Sequence, residues 1–237
     1  YWKMYNISLL CPTRNRVDGL IRMWASAIDM ASDPSQIELV LYVDHDDAAT
    51  LDLLQSEQMD RVSVIVSDPN HKEIYSNLHN ICCQKANADI VFSCADDLVF
   101  RSRDWDKIVL DKFSEIEDKV AFLFPNDGHW GSKFGTHGFF HKKWFSTLGY
   151  ISPPLFTVDY SDNYINDIAK AIDRSFYLDN IFIEHMHWTF GKMQMDSTAK
   201  EAHQRRSQTN NSLVYQNFET MQKQREDIQK LKEIINE

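Results

Sequence analysis

Ile90-Val91-Phe92-Ser93-Cys94-Ala95-Asp96-Asp97 is the stretch that decides the fold of this chain. It opens as a short apolar run suited to a buried strand and ends on two adjacent carboxylates. The same grammar recurs upstream. Ile7-Ser8-Leu9-Leu10-Cys11 is an apolar run stopped by Pro12-Thr13-Arg14. Ile37 to Val43 is rich in β-branched and apolar residues and ends in Asp44-His45-Asp46-Asp47. Val62 to Val66 is stopped by Asp68-Pro69-Asn70. Between these runs, Arg16 to Ala31 has helical spacing, with Leu20, Trp24, Ala27, Ile28 and Ala31 on one stripe. Ala48 to Gln58 and Glu73 to Ala88 also read as helices.

Strand alternating with helix predicts an α/β domain with a mostly parallel central sheet flanked by helices. The near-uniformly apolar strand runs fit a sheet covered on both faces. Ligands of such sheets bind beyond the carboxyl ends of the strands. Pro12-Thr13-Arg14, Asp44-His45-Asp46-Asp47 and Asp96-Asp97 should therefore converge.

The second half is less regular. Val120 to Phe124 reads as a strand ending in Pro125-Asn126-Asp127. Residues 126–138 hold Gly128, Gly131, Gly135 and Gly138 together with His129, Trp130 and His137, the composition of a mobile lid. Order resumes over Phe139 to Leu148, and Pro153-Pro154 breaks the chain. Asp162 to Ala171 has helical character, and Asn180 to His187 reads as a strand. From Ser212 to Glu237 the pattern is one polar helix with Val214, Phe218, Met221, Ile228, Leu231 and Ile235 in a stripe. That helix either docks on the domain or pairs with another chain to form a homo-oligomer. The expected division is a domain over 1–211, with a donor half (1–100) and an acceptor half (101–211), and a C-terminal helical extension over 212–237.

A formal net charge of −10 gives no general footprint for nucleic acid. Cys11, Cys82, Cys83 and Cys94 match no zinc spacing, and three lie in apolar runs, as reduced core thiols of a cytoplasmic protein would. No apolar stretch approaches the ~20 residues that cross a bilayer. The first residues lack the pattern of a signal peptide, although a leader removed before Tyr1 would leave no trace.

Asp96 and Asp97 repel one another unless a cation or donors stand opposite. Mg²⁺ or Mn²⁺, which take few carboxylates plus diphosphate oxygens, is one answer. Capping of a helix near Asp104 is the other. Asp162 is a candidate general base, with Asp159 and Asp167 as competitors and helix capping as the alternative. His185 and His187 share one face of a strand and are candidate metal ligands.

Several of these pieces resemble the inverting family 2 glycosyltransferases, over roughly residues 5–190. Ile7 to Arg16 looks like their opening strand and loop. Asn80 to Asp89, followed by the apolar strand and Asp96-Asp97, is similar to their run of Asn, helix, strand and Asp-rich motif. His141 to Gly149, then Asp162, resembles the acceptor-side segment leading to their catalytic carboxylate. The chain departs from the pattern at Cys94 and Ala95, where the Asp-rich motif commonly begins, at Ser161 before the base, and at Cys82 and Ala88, where glycines are usual.

The resemblance implies a GT-A fold and metal-dependent transfer of a sugar, with inversion, from a UDP-linked donor to a hydroxyl of a glycan or other acceptor. Pro12, Thr13 and Arg14 would border the nucleotide, Asp44 would accept a hydrogen bond from the base unless it caps the helix that begins at Ala48, and Asp46 and Asn80 would lie on the donor side. Asp96 would touch ribose or metal, and Asp97, with His187 or His185, would hold Mn²⁺ or Mg²⁺. Lys192 and Asp196 would line the diphosphate, and Asp162 would be the base. Trp130, His137 and Trp144 either shape the acceptor pocket, since aromatic faces stack on sugar rings, or pack in the core. Two rivals stand beside this reading. A sugar-phosphate nucleotidyltransferase usually carries a glycine-rich loop after the first strand, which Cys11 to Arg16 lacks. A non-catalytic nucleotide- or sugar-binding module would bind nucleotide without turnover.

Overall fold

A computed structural model gives the structure of residues 5–56 and 60–236. The first half is built from β1 (Ile7–Thr13), α1 (Val17–Met30), β2 (Ile37–Val43), α2 (Ala48–Ser56), β3 (Val62–Val66), α3 (Leu78–Lys85) and β4 (Ile90–Ser93). Strand positions follow the apolar runs closely. The helix expected over Ala48 to Gln58 is present to Ser56, and its end at Glu57 and Gln58 lies outside the described residues. The helix expected from Glu73 begins as a 3₁₀ turn at Tyr75 and becomes α-helical only at Leu78.

The second half continues with β5 (Leu98–Phe100), α4 (Trp105–Glu115), β6 (Phe122–Asn126), β7 (Phe139–His141), α5 (Lys142–Leu148), α6 (Ser161–Ala171), β8 (Ser175–His185), α7 (Ser197–Gln208), α8 (Asn211–Gln216) and α9 (Phe218–Ile235). The strands form a sheet in the order β3-β2-β1-β4-β7-β6-β8-β5. β3, β2, β1 and β4 run parallel, and β6 is parallel to β8. β7 is antiparallel to both β4 and β6, and β5 is antiparallel to β8. The mostly parallel expectation thus holds for the first half and gives way to a mixed sheet in the second. The reason is local: β6 joins β7 through a loop without an α-helical crossover, which lets the two run antiparallel.

Two apolar cores cover the two faces. One gathers Leu20, Met23 and Ala27 of α1 with Trp105, Val109 and Phe113 of α4. The other gathers Cys82, Cys83, Trp144, Tyr164 and Ile168 with Leu231 of α9. All four cysteines are buried free thiols. Trp144 is one of the largest fully buried side chains, so it is core and not an acceptor wall.

The C-terminal pattern is not one helix. It breaks at Asn217, whose side chain accepts from the Thr220 amide to cap α9. The break splits the apolar stripe. Val214, Ile228, Leu231 and Ile235 pack into the second core, while Phe218 and Met221 stay exposed. The docked face also buries Asp227, which accepts from the hydroxyls of Tyr150 and of Tyr164.

The glycine-rich segment is anchored at its far end. A Cβ on Gly138 would stand 2.1 Å from Phe122 Cε2, and one on Gly135 2.7 Å from the rings of Phe122 and Phe124. Gly135 also exchanges backbone hydrogen bonds with the Asn166 amide (3.0 and 2.8 Å). These glycines exist for close packing on β6, which corrects the expectation of a lid over that part of the segment.

Candidate functional site

β1 and β4 are hydrogen-bonded neighbours, so the residues following them meet. Thr13, the last residue of β1, donates its hydroxyl to Asp96 Oδ2 at 2.9 Å. Neither Asp96 nor Asp97 caps α4: its N-cap, Asp104, sits at φ 59° and makes no side-chain cap. Both carboxylates are buried. Arg16 stands over them, with Nη1 3.0 Å from Asp96 Oδ1 and 3.7 Å from Asp97 Oδ2. Its other edge makes a two-pronged pair with Asp196, the N-cap of α7, at 2.7 and 3.0 Å. Burial opposes the Arg16 charge, but Asp196, Asp96 and Asp97 more than compensate and hold it fully protonated.

Burial pushes Asp96 up to about 6 against the pull of Arg16, and neighbouring Asp97 adds to the rise. Asp97 goes the other way. Burial raises it, but the approach of His185, with His137 and Arg16 behind, leaves it well below the usual carboxylate range. His185 ends β8, and β8 pairs with β5 so that His185 lies opposite Leu98. Its Nε2 lies 3.5 Å from Asp97 Oδ1, an oxygen that is buried and accepts no hydrogen bond. His187 is adjacent, with its ring 5.2 Å from that of His185. Its Nδ1 is engaged by Thr189, through the hydroxyl at 2.7 Å and the amide at 3.3 Å. His185, rather than His187, is therefore the histidine set against Asp97.

His137 belongs to the same cluster and not to an acceptor wall. Its Nδ1 is 2.8 Å from the Ser93 carbonyl and its ring is 5.0 Å from His185. Burial, reinforced by His185, pushes His137 down to about 3, and the same causes put His187 at about 4. Both imidazoles are thus neutral near pH 7, the form that binds a metal. Among the described residues, no group of three His, Cys, Asp or Glu side chains forms a ready cation cage. Asp97 with its unpartnered oxygen and His185 opposite still fit a hard divalent ion, which completes its shell with water and substrate oxygens.

Beyond β2, Asp47 is the cap of α2. It accepts from the amides of Thr50 (3.1 Å) and Asn15 (2.7 Å), which leaves Asp44 free of that duty. Asp44 instead accepts from Arg14 at 3.0 Å, and Asp46 pairs with the same guanidinium. Glu201 of α7 binds its Nε at 3.1 Å, and Thr198 donates to the Arg14 carbonyl at 2.7 Å. Pro12 precedes this cluster at the end of β1. Arg14, Asp44 and Asp46 thus converge beside Thr13 and Asp96, as the strand ends require.

Asn80 does not join them. It is buried, its amide donates to the Ser152 carbonyl (2.7 Å), and its oxygen accepts from the amides of Ile151 and Ser152 (3.0 and 3.2 Å). Its polar atoms are spent on the chain after α5, which corrects the expected donor-side role.

Asp162 lies in the first turn of α6. Burial pushes its carboxyl up to about 6 against the backbone amides of Asn163 and of Asp162 itself, and His185 is near enough to pull it down. The base candidate thus carries a carboxyl raised toward neutrality. Asp159 is held by Arg206, whose Nε lies 2.9 Å from both of its oxygens. Asp167 is exposed and accepts from Tyr215. Lys192 pairs with Glu184 at 2.9 Å. Trp130 is 44% exposed.

Arg16 is the residue that sequence reasoning missed. Its position in the loop after β1 was a usable signal, but its pairing with Asp196, 180 residues away, was not.

No protein-family model and no curated protein matches the sequence. Solved structures do match in fold. Residues 1–349 of S. aureus TarS superpose with a TM-score of 0.57 over 97% of this chain and 81% of that one, at 11% identity. A longer crystal structure of S. aureus TarS gives 0.56 over 75% of this chain at 10% identity. The chain therefore shares the mixed α/β fold of these structures. The chain spans 36% of the longer TarS structure. No helix among the described residues is long and apolar enough to cross a membrane.

Proposed function

We propose that this chain transfers a sugar from a nucleotide-sugar donor to an acceptor hydroxyl, with inversion and with the help of a divalent metal. One observation carries the reading: buried Asp97, with an oxygen that accepts no hydrogen bond, faces His185 beside Asp96. A buried acidic pair with a histidine opposite is the chemistry that a divalent ion gripping a diphosphate would need, which supports a donor site here.

The residues divide the work as follows. Asp44 accepts a hydrogen bond from the base, for which the imide N–H of uracil is suited, once Arg14 turns from it toward the nucleotide. Thr13 fixes Asp96 in one rotamer, and Asp96 faces the ribose. Asp97 and His185 would hold Mg²⁺ or Mn²⁺, with His187 alongside, and the ion would supply positive charge to the leaving diphosphate. Arg16 adds a second, permanent cation for the same charge. Asp162, ionised, takes the proton of the acceptor hydroxyl during in-line attack on the anomeric carbon. The loop after β1 has no glycine to cradle a triphosphate, which disfavours nucleotidyl transfer.

Thermal shift with a panel of nucleotide sugars, with and without Mn²⁺, followed by a donor-hydrolysis assay, tests the reading. Metal-dependent stabilisation by a UDP-sugar together with hydrolysis is expected. Stabilisation without turnover would leave a binding module, and no stabilisation by any nucleotide would end the reading.

A further inference from the structure

Resting on the transferase reading, we propose that Trp130 is a glycan subsite that stacks on a pyranose ring of the acceptor chain beyond the sugar that reacts. The first observation is rigidity. Asp127, buried at the end of β6, accepts from the amides of His129 (2.8 Å) and Trp130 (2.7 Å) through one oxygen and from the Thr136 hydroxyl (3.2 Å) through the other. Gly128 and Gly131 bracket the turn at φ 78° and 54°, values that favour glycine. A Cβ on Gly128 would come within 3.0 Å of Phe182. The backbone is fixed, yet the indole it carries is left 44% open to solvent.

The second observation is continuity with the reaction centre. The His129 ring stacks on Phe190 with centroids 3.7 Å apart, and Phe190 meets His185 edge-on at 5.8 Å. His185 faces Asp97. A run of rings therefore leads from the acidic cluster to the indole. Among the described residues, Trp130 makes ring contacts with His129 and Phe134 and none with Phe190 or His185. It stands at the far end of the run from His185.

The chemistry names the occupant. A pyranose offers an apolar C–H face edged by hydroxyls, and a half-exposed indole with polar neighbours is its complement. The Tyr177 hydroxyl would be 4.0 Å from a Cβ at Gly131, and Lys192 Nζ, which also pairs with Glu184, 3.0 Å from one at Gly128, so polar groups stand beside both glycines. A preorganised aromatic surface loses little entropy on binding, so even a weak stack adds affinity.

The test labels indole nitrogens with ¹⁵N and assigns the Trp130 signal by its loss in Trp130→Phe. Methyl glucoside, cellohexaose, maltohexaose and chitohexaose are then titrated at millimolar concentration, since stacking on a C–H face tolerates different linkages. We expect a hexasaccharide to move the Trp130 signal more than the glucoside does. We also expect Trp130→Ala to weaken hexasaccharide binding several-fold, up to about tenfold. A Trp130 signal unmoved by all three hexasaccharides, or equal affinity in the alanine variant, overturns the proposal. The metal-dependent thermal shift with UDP-sugars, read on the wild-type protein, separates the two failures. A silent indole with intact nucleotide binding refutes the subsite alone, and a responding indole without nucleotide binding refutes the transferase.

Discussion

His185 presents Nε2 3.5 Å from Oδ1 of Asp97, and that oxygen is buried without a hydrogen-bond donor. A buried, ionised carboxylate with one oxygen still open to a partner is suited to take a divalent cation. We expect Asp97→Ala to abolish Mn²⁺-dependent stabilisation by a UDP-sugar. His185→Ala should weaken it by no less than the about 10–100-fold that removal of an outer-shell partner costs. His187→Ala should have the smaller effect, because its Nδ1 already serves Thr189. Differential scanning fluorimetry across a Mn²⁺ series checks all three, and a larger loss in His187→Ala would reverse the assignment of the histidines.

Asp162 gives a pH dependence with a definite sign. Its carboxyl, raised to about 6 by burial, must be ionised to accept a proton. Turnover should climb as pH rises through about 6 and level off above. Stability should move the other way. The folded state holds this proton more tightly than the unfolded chain, so the contribution is present at low pH and is lost as pH rises from the ordinary carboxyl range through about 6. Asp162→Asn should lower kcat by about 10²–10⁴-fold, flatten the acid limb and leave donor binding in place. An unchanged acid limb in that variant would move the titration to Asp96, which burial places in the same range.

The first half was legible because its strands are continuous apolar runs that stop at charged or proline-rich turns. Ile37–Val43 and Val62–Val66 fall on the residues their patterns marked. The second half was harder for a physical reason. β5 has three residues, and β8 begins at Ser175, where polar positions mix with apolar ones. Short strands in a mixed sheet are defined by partners and not by periodicity. At the site, Thr13, Asp96 and Asp97 could be placed from strand ends alone. The Arg16–Asp196 pair, the choice of His185 over His187, and the capping duty of Asp47 depend on contacts made by distant segments.

Asn80 separates a structural role from a binding one. Substituting alanine would orphan the amides of Ile151 and Ser152 and the Ser152 carbonyl, all engaged by one side chain. Buried unsatisfied groups cost about 1–3 kcal/mol each. We expect Asn80→Ala to lower stability by about 2–4 kcal/mol in urea titration, while the folded fraction binds UDP with unaltered affinity. A loss of affinity without a loss of stability would restore Asn80 to the donor site.

Asp227 makes the docking of α9 testable. It is fully buried, and its Oδ2 accepts from the hydroxyls of Tyr150 and Tyr164, with Lys223 3.4 Å from Oδ1. Burial, and then the hydrogen bond to Asp227, hold both phenols far above their usual range, so they remain donors at any working pH. Asp227→Ala leaves two buried hydroxyls without an acceptor, at about 1–3 kcal/mol each. For a chain of this size that lowers Tm by about 2–4 °C per kcal/mol. Asp227→Asn should lose less, because its amide oxygen still accepts. The triple change Asp227→Leu, Tyr150→Phe and Tyr164→Phe should recover part of the loss, since no polar group is then left unpaired. Calorimetry of the variants decides the matter: equal destabilisation of the single and triple changes would mean that packing of Leu231 and Ile228, and not this polar cluster, fixes α9 to the domain.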